Sequence, residues 1–156
     1  MRALLLTTNH SYRNEAFQRA AMRLGIELIY GTDLRPLPGQ SLLSNQLPLD
    51  YDRPESATAM IVSFAQKQPV DAILAVDDSG VVLAAQAAAR LGLAHNDAQA
   101  AAAARDKYLM RSLMAAAGVP CPWFRHFSTA DDLTALAAEL AYPCVVKPLH
   151  LNASRG

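Results

Sequence analysis

The groups in this sequence best suited to holding an anion are two lysines and a run of small residues. Lys107 falls just inside a predicted helix, Lys147 ends a predicted strand, and Asn152-Ala-Ser154-Arg155-Gly156 forms a small-residue loop. Ammonium groups act as point charges toward phosphate, and backbone N–H groups of a loop with small side chains approach it closely. Each also has a plain structural reading. Lys107 reads as a solvated helix lysine, Lys147 as a surface lysine between Pro143 and Pro148, and the loop as a frayed terminus. Paired carboxylates stand at Asp77-Asp78, directly after an apolar run. Acids at strand ends hold Mg²⁺ in some folds, but there they come from separate strands. Here both follow one strand and Asp78-Ser79 suits a helix N-cap, so capping or orienting a substrate is expected rather than metal binding. Asn9, Ser11, Tyr12 and Arg13 follow the first predicted strand, where open α/β sheets bind their ligands; simple helix capping is the first expectation for them, and a substrate-side or domain-interface role the alternative.

Other chemistries are poorly served. His10, His95, His126 and His150 have no metal or triad spacing, and Cys121 and Cys144 make neither a disulfide framework nor a metal motif. The turn Thr7-Thr-Asn-His-Ser11 has no Gly-x-Gly-x-x-Gly, which argues against a dinucleotide. Fourteen basic residues balance fourteen acidic ones, so charge gives no reason to expect nucleic acid or an anionic membrane as partner. The opening apolar run is too short for a signal peptide, and no stretch approaches a membrane span. A cytoplasmic protein is expected.

The elements that must position these residues are legible from periodicity. Residues 2–7, 26–30 and 70–76 read as buried strands. Apolar positions Ala16, Phe17, Ala20, Ala21 and Leu24 mark an amphipathic helix over 13–24, closed by Gly25. A second helix is predicted over 55–68, with Ala59, Met60, Val62, Ser63 and Phe64 near its buried side, and a third over 79–92. Strands alternating with helices imply a parallel sheet covered on both faces. Residues 31–54 carry four prolines and read as a loop. Further on, Asp106 should cap a helix running to Ala117, and Ser128 or Thr129 one through Leu140. Residues 123–127 and 144–148 read as strands of a separate, incomplete sheet.

Four features occur in order: the strand with its acids, Ala72-Ile-Leu-Ala-Val-Asp-Asp78; Leu91-Gly-Leu with Ala104-Arg-Asp-Lys107, Met110 and Ala117-Gly-Val-Pro120; Tyr142-Pro-Cys-Val-Val-Lys147-Pro148; and the loop Asn152–Gly156. Together they resemble the ATP-grasp superfamily. Ser11-Tyr-Arg-Asn-Glu-Ala-Phe17 through Arg23-Leu-Gly25 is similar to the amino-terminal domain of its amino-acid ligase members. The resemblance implies an α/β protein, with a Rossmann-like pre-ATP-grasp domain over 1–95, connecting helices over 96–118 and a truncated α+β ATP-grasp subdomain over 119–156.

By the same resemblance the parent enzyme is a ligase that uses ATP and Mg²⁺ to join small-molecule carboxylate and amine substrates through an acyl-phosphate. Lys107, Lys147, Ser154, Arg155 and Gly156 are its ATP-binding residues here. The Mg²⁺ ligands and the adenine pocket lie downstream, no catalytic residue is assigned, and the chain alone is expected to be inactive. Phosphoribosylglycinamide synthetase, carbamoyl-phosphate synthase large chain and biotin carboxylase are related alternatives. A stand-alone Rossmann-like binding module is the competing class. The open edge Cys144-Val-Val146 leads to an expectation of self-association, a homodimer in the simplest case.

Overall fold

A computed structural model describes residues 1–8, 11–33 and 45–151. The chain divides into two compact units, Met1–Ala102 and Ala103–Gly156.

The first unit is organised by Arg2–Thr7 (β1), whose Leu4, Leu5 and Leu6 are fully buried. Each such side chain contributes about 1.5–3 kcal/mol on leaving water. The chain continues through Asn14–Leu24 (α1) to Glu27–Thr32 (β2), which lies parallel to β1 with Arg2 opposite Glu27 and Thr7 opposite Thr32. Gln46–Pro48 (β3) adds outside β2, Pro54–Lys67 (α2) crosses back, and Ala72–Ala75 (β4) pairs with the other side of β1. The sheet is wholly parallel, in the order β3-β2-β1-β4. Val81–Arg90 (α3) follows β4 after a single 3-10 turn at Asp78–Gly80.

Alternation along the strands explains the layers. Leu4, Leu6, Ile29 and Ile73 pack with Ala57, Ile61 and Ala65 of α2 and with Leu83, Ala87 and Ala88 of α3. The alanines let α3 lie close to the sheet, and Gly80 at its entrance is closer still. A Cβ there would stand 3.1 Å from the Cβ of Leu6.

Several local expectations are corrected. Residues 46–48 form a strand, so 31–54 is not all loop; within it, 34–44 lies outside the described residues. Three residues with a proline at the end carry too little periodicity to be read as a strand. The buried stripe of α2 is Ala57, Thr58, Ile61 and Ala65, not Ala59, Met60 and Ser63. The i, i+4, i+8 row of small and β-branched residues fits the sheet, whereas the thioether of Met60 stays outside. On α1 only Ala21 is fully buried, and Ala16 and Leu24 are exposed. Besides Ala21, the apolar residues Phe17 and Ala20 are half-buried.

After Ala98–Arg105 (α4), the second unit holds Lys107–Ala116 (α5) and Leu133–Glu139 (α6). Asp106 caps α5 as expected, its carboxylate accepting from the N–H groups of Tyr108 and Leu109. The cap of α6 is Asp132, not Ser128 or Thr129. Ser128 and Asp131 instead close a turn upstream, with the Ser128 N–H donating to Asp131. Residues 123–127 and 144–148 form no ladder. Apolar β-branched composition predicts willingness to be a strand, but a strand also needs a neighbour for its peptide groups. Val145 and Val146 are 78% and 66% exposed, so nothing among the described residues covers either face of that segment.

Candidate functional site

In the first unit the candidate site lies at the carboxyl ends of β1 and β4. The connection leaving β1 runs toward β2, whereas β4 arrives on the opposite side. These neighbouring ends therefore form the switch point at which open α/β sheets place their ligands. Five side chains gather there. The Thr8 hydroxyl donates to Oδ2 of Asp77 at 3.2 Å, and the Ser11 hydroxyl to Oδ1 at 3.1 Å. Asn14, in the first turn of α1, donates through Nδ2 to the Thr8 carbonyl at 3.1 Å and accepts through Oδ1 from the Thr7 hydroxyl. Asp77 caps no backbone N–H of the following turn. Both its oxygens accept from the loop after β1, so Asp77 fixes that loop, and the helix N-cap expected at Asp78-Ser79 falls one residue later. The N-cap of α3 is Gly80.

Tyr51 closes the neighbouring side. Its hydroxyl shares one proton between the carbonyls of Gly31 at 2.8 Å and Thr7 at 3.1 Å, bridging the ends of β2 and β1. Burial pushes the phenol well above the ordinary tyrosine value, the Asp33 and Asp77 carboxylates push the same way, and the bond to Thr7 acts against them. Tyr51 is therefore a neutral donor under all ordinary conditions. The result is a cradle of acceptors: a half-buried carboxylate, hydroxyl oxygens and an amide oxygen. Its chemistry suits a donor-rich or cationic group such as an amine.

Of the residues expected on this side, Ser11 and Asp77 are brought together. Tyr12 and Arg13 are exposed, with the guanidinium stacked 5.3 Å from the Tyr12 ring and its Nε donating to the Tyr12 hydroxyl at 3.1 Å. Asp78 is exposed on the 3-10 turn. Asn9 lies outside the described residues. Thr7, Thr8, Asn14 and Tyr51 were not singled out in the sequence. The threonines carried a signal, being hydroxyls at the end of a buried apolar strand. Tyr51 carried none.

In the second unit the two lysines have different surroundings. Lys107 is half-buried, and its Nζ donates to the carbonyls of Leu149 at 3.1 Å and Leu151 at 2.6 Å. Its backbone N–H also donates to Leu149, at 3.3 Å. The first N–H groups of α5 are thus all taken, by Leu149 and by the side chain and carbonyl of Asp106. Those donors are what usually make a helix N-terminus an anion site, so the start of α5 has no free backbone donor to offer an anion. Asp106 is held below its usual value, first by the Leu109 N–H, then by the Tyr108 N–H and by His150 and His126, against some desolvation. Lys147 is exposed and has no hydrogen-bond or ion-pair partner among the described residues. Ser154, Arg155 and Gly156 lie outside those residues.

Phosphate fits what is present: Lys147 offers three N–H donors and Lys107 one. A divalent ion does not, because no three His, Cys, Asp or Glu side chains gather among the described residues. No helix there is long and apolar enough to cross a membrane.

Residues 17–95, just over half the chain, match the model of the ATP-grasp N-terminal domain. Alanine–anticapsin ligase of Bacillus amyloliquefaciens is 36% identical over 108 residues, which is 69% of this chain and 23% of that enzyme. The chain thus spans about a quarter of the length of the curated relatives it matches. The crystal structure of an L-amino acid ligase from Bacillus licheniformis superposes with a TM-score of 0.72 at 23% identity, over 96% of this chain and 38% of that one. Phosphoribosylglycinamide synthetase from Anaerococcus prevotii gives 0.60 at 22%, over 88% and 33%. At these identities the two structures establish the fold alone.

Proposed function

Since the chain belongs to the ATP-grasp N-terminal domain family, we propose that it supplies the amino-terminal part of an ATP-dependent carboxylate–amine ligase acting on amino acids. The observation that carries this reading is the 36% identity over 108 residues to a ligase named for alanine and anticapsin. In the reaction, a carboxylate oxygen attacks the γ-phosphorus of ATP, the β–γ bridging P–O bond breaks, and ADP leaves. The amine then attacks the acyl carbon of the acyl-phosphate and expels inorganic phosphate.

This chain's own residues contribute binding and orientation. Lys147 neutralises charge on the phosphates. The Asp77, Ser11 and Thr8 acceptors lie on the substrate side and suit an amine. Mg²⁺, when held by other parts of such an enzyme, would offset phosphate charge; the described residues give it no cage, and no step here runs through it. The 156 residues alone are therefore expected to bind ATP weakly and not to turn it over, because phosphoryl transfer depends on positioned groups around the whole triphosphate.

An enzyme carrying this chain together with a complete ATP-grasp domain tests the reading. With amino acids and ATP, it should release ADP and phosphate in step with dipeptide. Release of AMP and pyrophosphate would overturn the acyl-phosphate route, and no product with any amino-acid pair would overturn the ligase reading. For the half-site, micromolar binding of Mg-ATP to the isolated chain in a calorimeter would count against it.

A further inference from the structure

The hydroxyls of Thr8 and Ser11 each hold one oxygen of Asp77, at 3.2 Å and 3.1 Å. A carboxylate only accepts, so each hydroxyl spends its single proton there. Both hydroxyl oxygens are left as acceptors. What keeps them turned this way is the backbone on which they stand.

Asn14 gathers that backbone. Its Nδ2 donates to the Thr8 carbonyl at 3.1 Å, and its own N–H donates to the Ser11 carbonyl at 3.4 Å. The Thr8 carbonyl also accepts from the Ser11 N–H at 3.2 Å, which fills its two lone pairs. The buried Thr7 hydroxyl stands 3.2 Å from that same carbonyl and also reaches Oδ1 of Asn14. With the carbonyl full, the Thr7 proton goes to Oδ1. The orientation of the Asn14 amide follows, since a carbonyl needs the NH₂ side facing it.

Thr8 is branched at Cβ and has one torsion between its backbone and its hydroxyl oxygen. Fixing its peptide therefore leaves Oγ few positions, and the bond to Asp77 selects one. Asp77 is in turn held at both oxygens. The path from Asn14 to the carboxylate contains no long side chain that could absorb a displacement.

We propose that Asn14 is a positioning residue for the cradle: through Nδ2 on the Thr8 carbonyl it sets the rotamer of Thr8 and with it the direction of the Asp77 carboxylate. The proposal rests on the reading of this cradle as a substrate-side amine site.

The test uses the full 156-residue chain, isotopically labelled for NMR. Three-bond couplings to the Thr8 methyl carbon report its rotamer without any ligand. Asn14→Leu removes the amide at similar shape. Asn14→Asp keeps an acceptor for Thr7 but loses the donor to Thr8. Thr7→Val spares that donor. Thr8 should hold a single rotamer in the parent and in Thr7→Val, and average over several in both Asn14 variants. A merely structural role would lower stability in all three and leave the folded rotamer alone. The probe for the cradle is methylammonium, with three N–H donors, against tetramethylammonium, which has the same charge and none. Chemical-shift titration at millimolar concentrations should show methylammonium shifting Thr8 and Ser11 saturably and tetramethylammonium not. Asn14→Leu should weaken methylammonium about three- to ten-fold, the worth of one well-aimed hydrogen bond.

A single Thr8 rotamer in Asn14→Leu and Asn14→Asp would overturn the positioning role. Averaging in Thr7→Val as well would move control to the buried hydroxyl and overturn the part given to Nδ2. Unchanged methylammonium affinity in Asn14→Leu would show that the cradle works without its orientation, and would also sink the proposal. If the parent binds methylammonium no better than tetramethylammonium, the amine reading fails and takes the proposal with it. That failure is told apart by the Thr8 couplings, which need no ligand.

Discussion

Ser11 and Asp77, 66 residues apart in the chain, are joined by a 3.1 Å hydrogen bond from hydroxyl to carboxylate. With the Thr8 bond to the other oxygen of Asp77, it ties the loop after β1 to the end of β4. Asp77→Ala would leave both hydroxyls without their acceptor. The expected loss is about 1–2 kcal/mol, with about 1 kcal/mol for Ser11→Ala, because charged hydrogen bonds at a half-buried site contribute in that range. Urea unfolding of the single and double variants checks this. A coupling energy of zero between the two sites would show that the bond contributes nothing.

Gly31 is expected to tolerate no side chain. A Cβ there would stand 2.6 Å from Cδ2 of Leu6 and 2.8 Å from Cδ1 of Leu49. Those atoms are side-chain tips, but both leucines are buried in the packed core and have little room to withdraw. Gly31→Ala should therefore destabilise by about 1–3 kcal/mol, as overpacking does. A thermal midpoint equal to the parent's would mean that the core yields freely.

Tyr51 predicts a signature at alkaline pH. A free phenol titrates near about pH 10, and burial raises that of folded Tyr51. The folded chain therefore holds this proton more tightly than the unfolded one. Its stabilising contribution is complete below about pH 10 and is lost as pH rises through the folded value. Phenolate absorbance should show Tyr51 ionising only together with unfolding. Tyr51→Phe should remove that late step and flatten the alkaline loss of stability. If all five tyrosines ionise before unfolding begins, the buried, proton-sharing geometry is wrong.

The second unit predicts association. Trp123, Tyr142, Val145 and Val146 are all more than half exposed, and of its larger apolar side chains only Leu136 is fully buried. Uncovered apolar surface of this kind seeks a partner. Sedimentation should show concentration-dependent self-association of the isolated chain, weakened by Val146→Asp. A monomer at high concentration would argue against this.

The order of strands and helices in the first unit was legible because long apolar runs alternate with helical spacing. Leu4-Leu5-Leu6 and Ile73 announce buried strands whatever their neighbours are. The polar end of the sheet was half legible. Ser11 and Asp77 stood out because each follows an apolar strand. That they bond to one another was not visible, since strand order, not sequence spacing, puts β4 beside β1. Tyr51 was illegible for the same reason: its partners are carbonyls, which every residue has. The strands expected at 123–127 and 144–148 failed at a different point. Their composition states a preference, and pairing needs a second segment that composition does not name. Lys107 stands at a helix start as the sequence suggests, whereas Lys147 ends no strand, and the unequal surroundings of the two lysines depend on where Leu149 and Leu151 turn their carbonyls.

The placement of β4 has a kinetic meaning. Pairing of β1 with β2 joins Ala3 to Leu28 across a single helical connection, whereas pairing with β4 joins Ala3 to Ala72 across most of the unit. Contacts of long sequence separation are the slow ones, because loop closure precedes their reward. A chain with only β1, α1 and β2 assembled would have its first parallel ladder and the bonds of Asn14 to Thr7 and Thr8, but neither bond to Asp77. If β4 docks last, completion of that cradle closes folding rather than opening it. A ligand seated on Asp77, Thr8 and Ser11 would act by mass action on this late step and draw the ensemble toward the fully docked sheet. Occupancy and topology would then be read by the same measurement: whatever fills the crevice also certifies that the last strand is home.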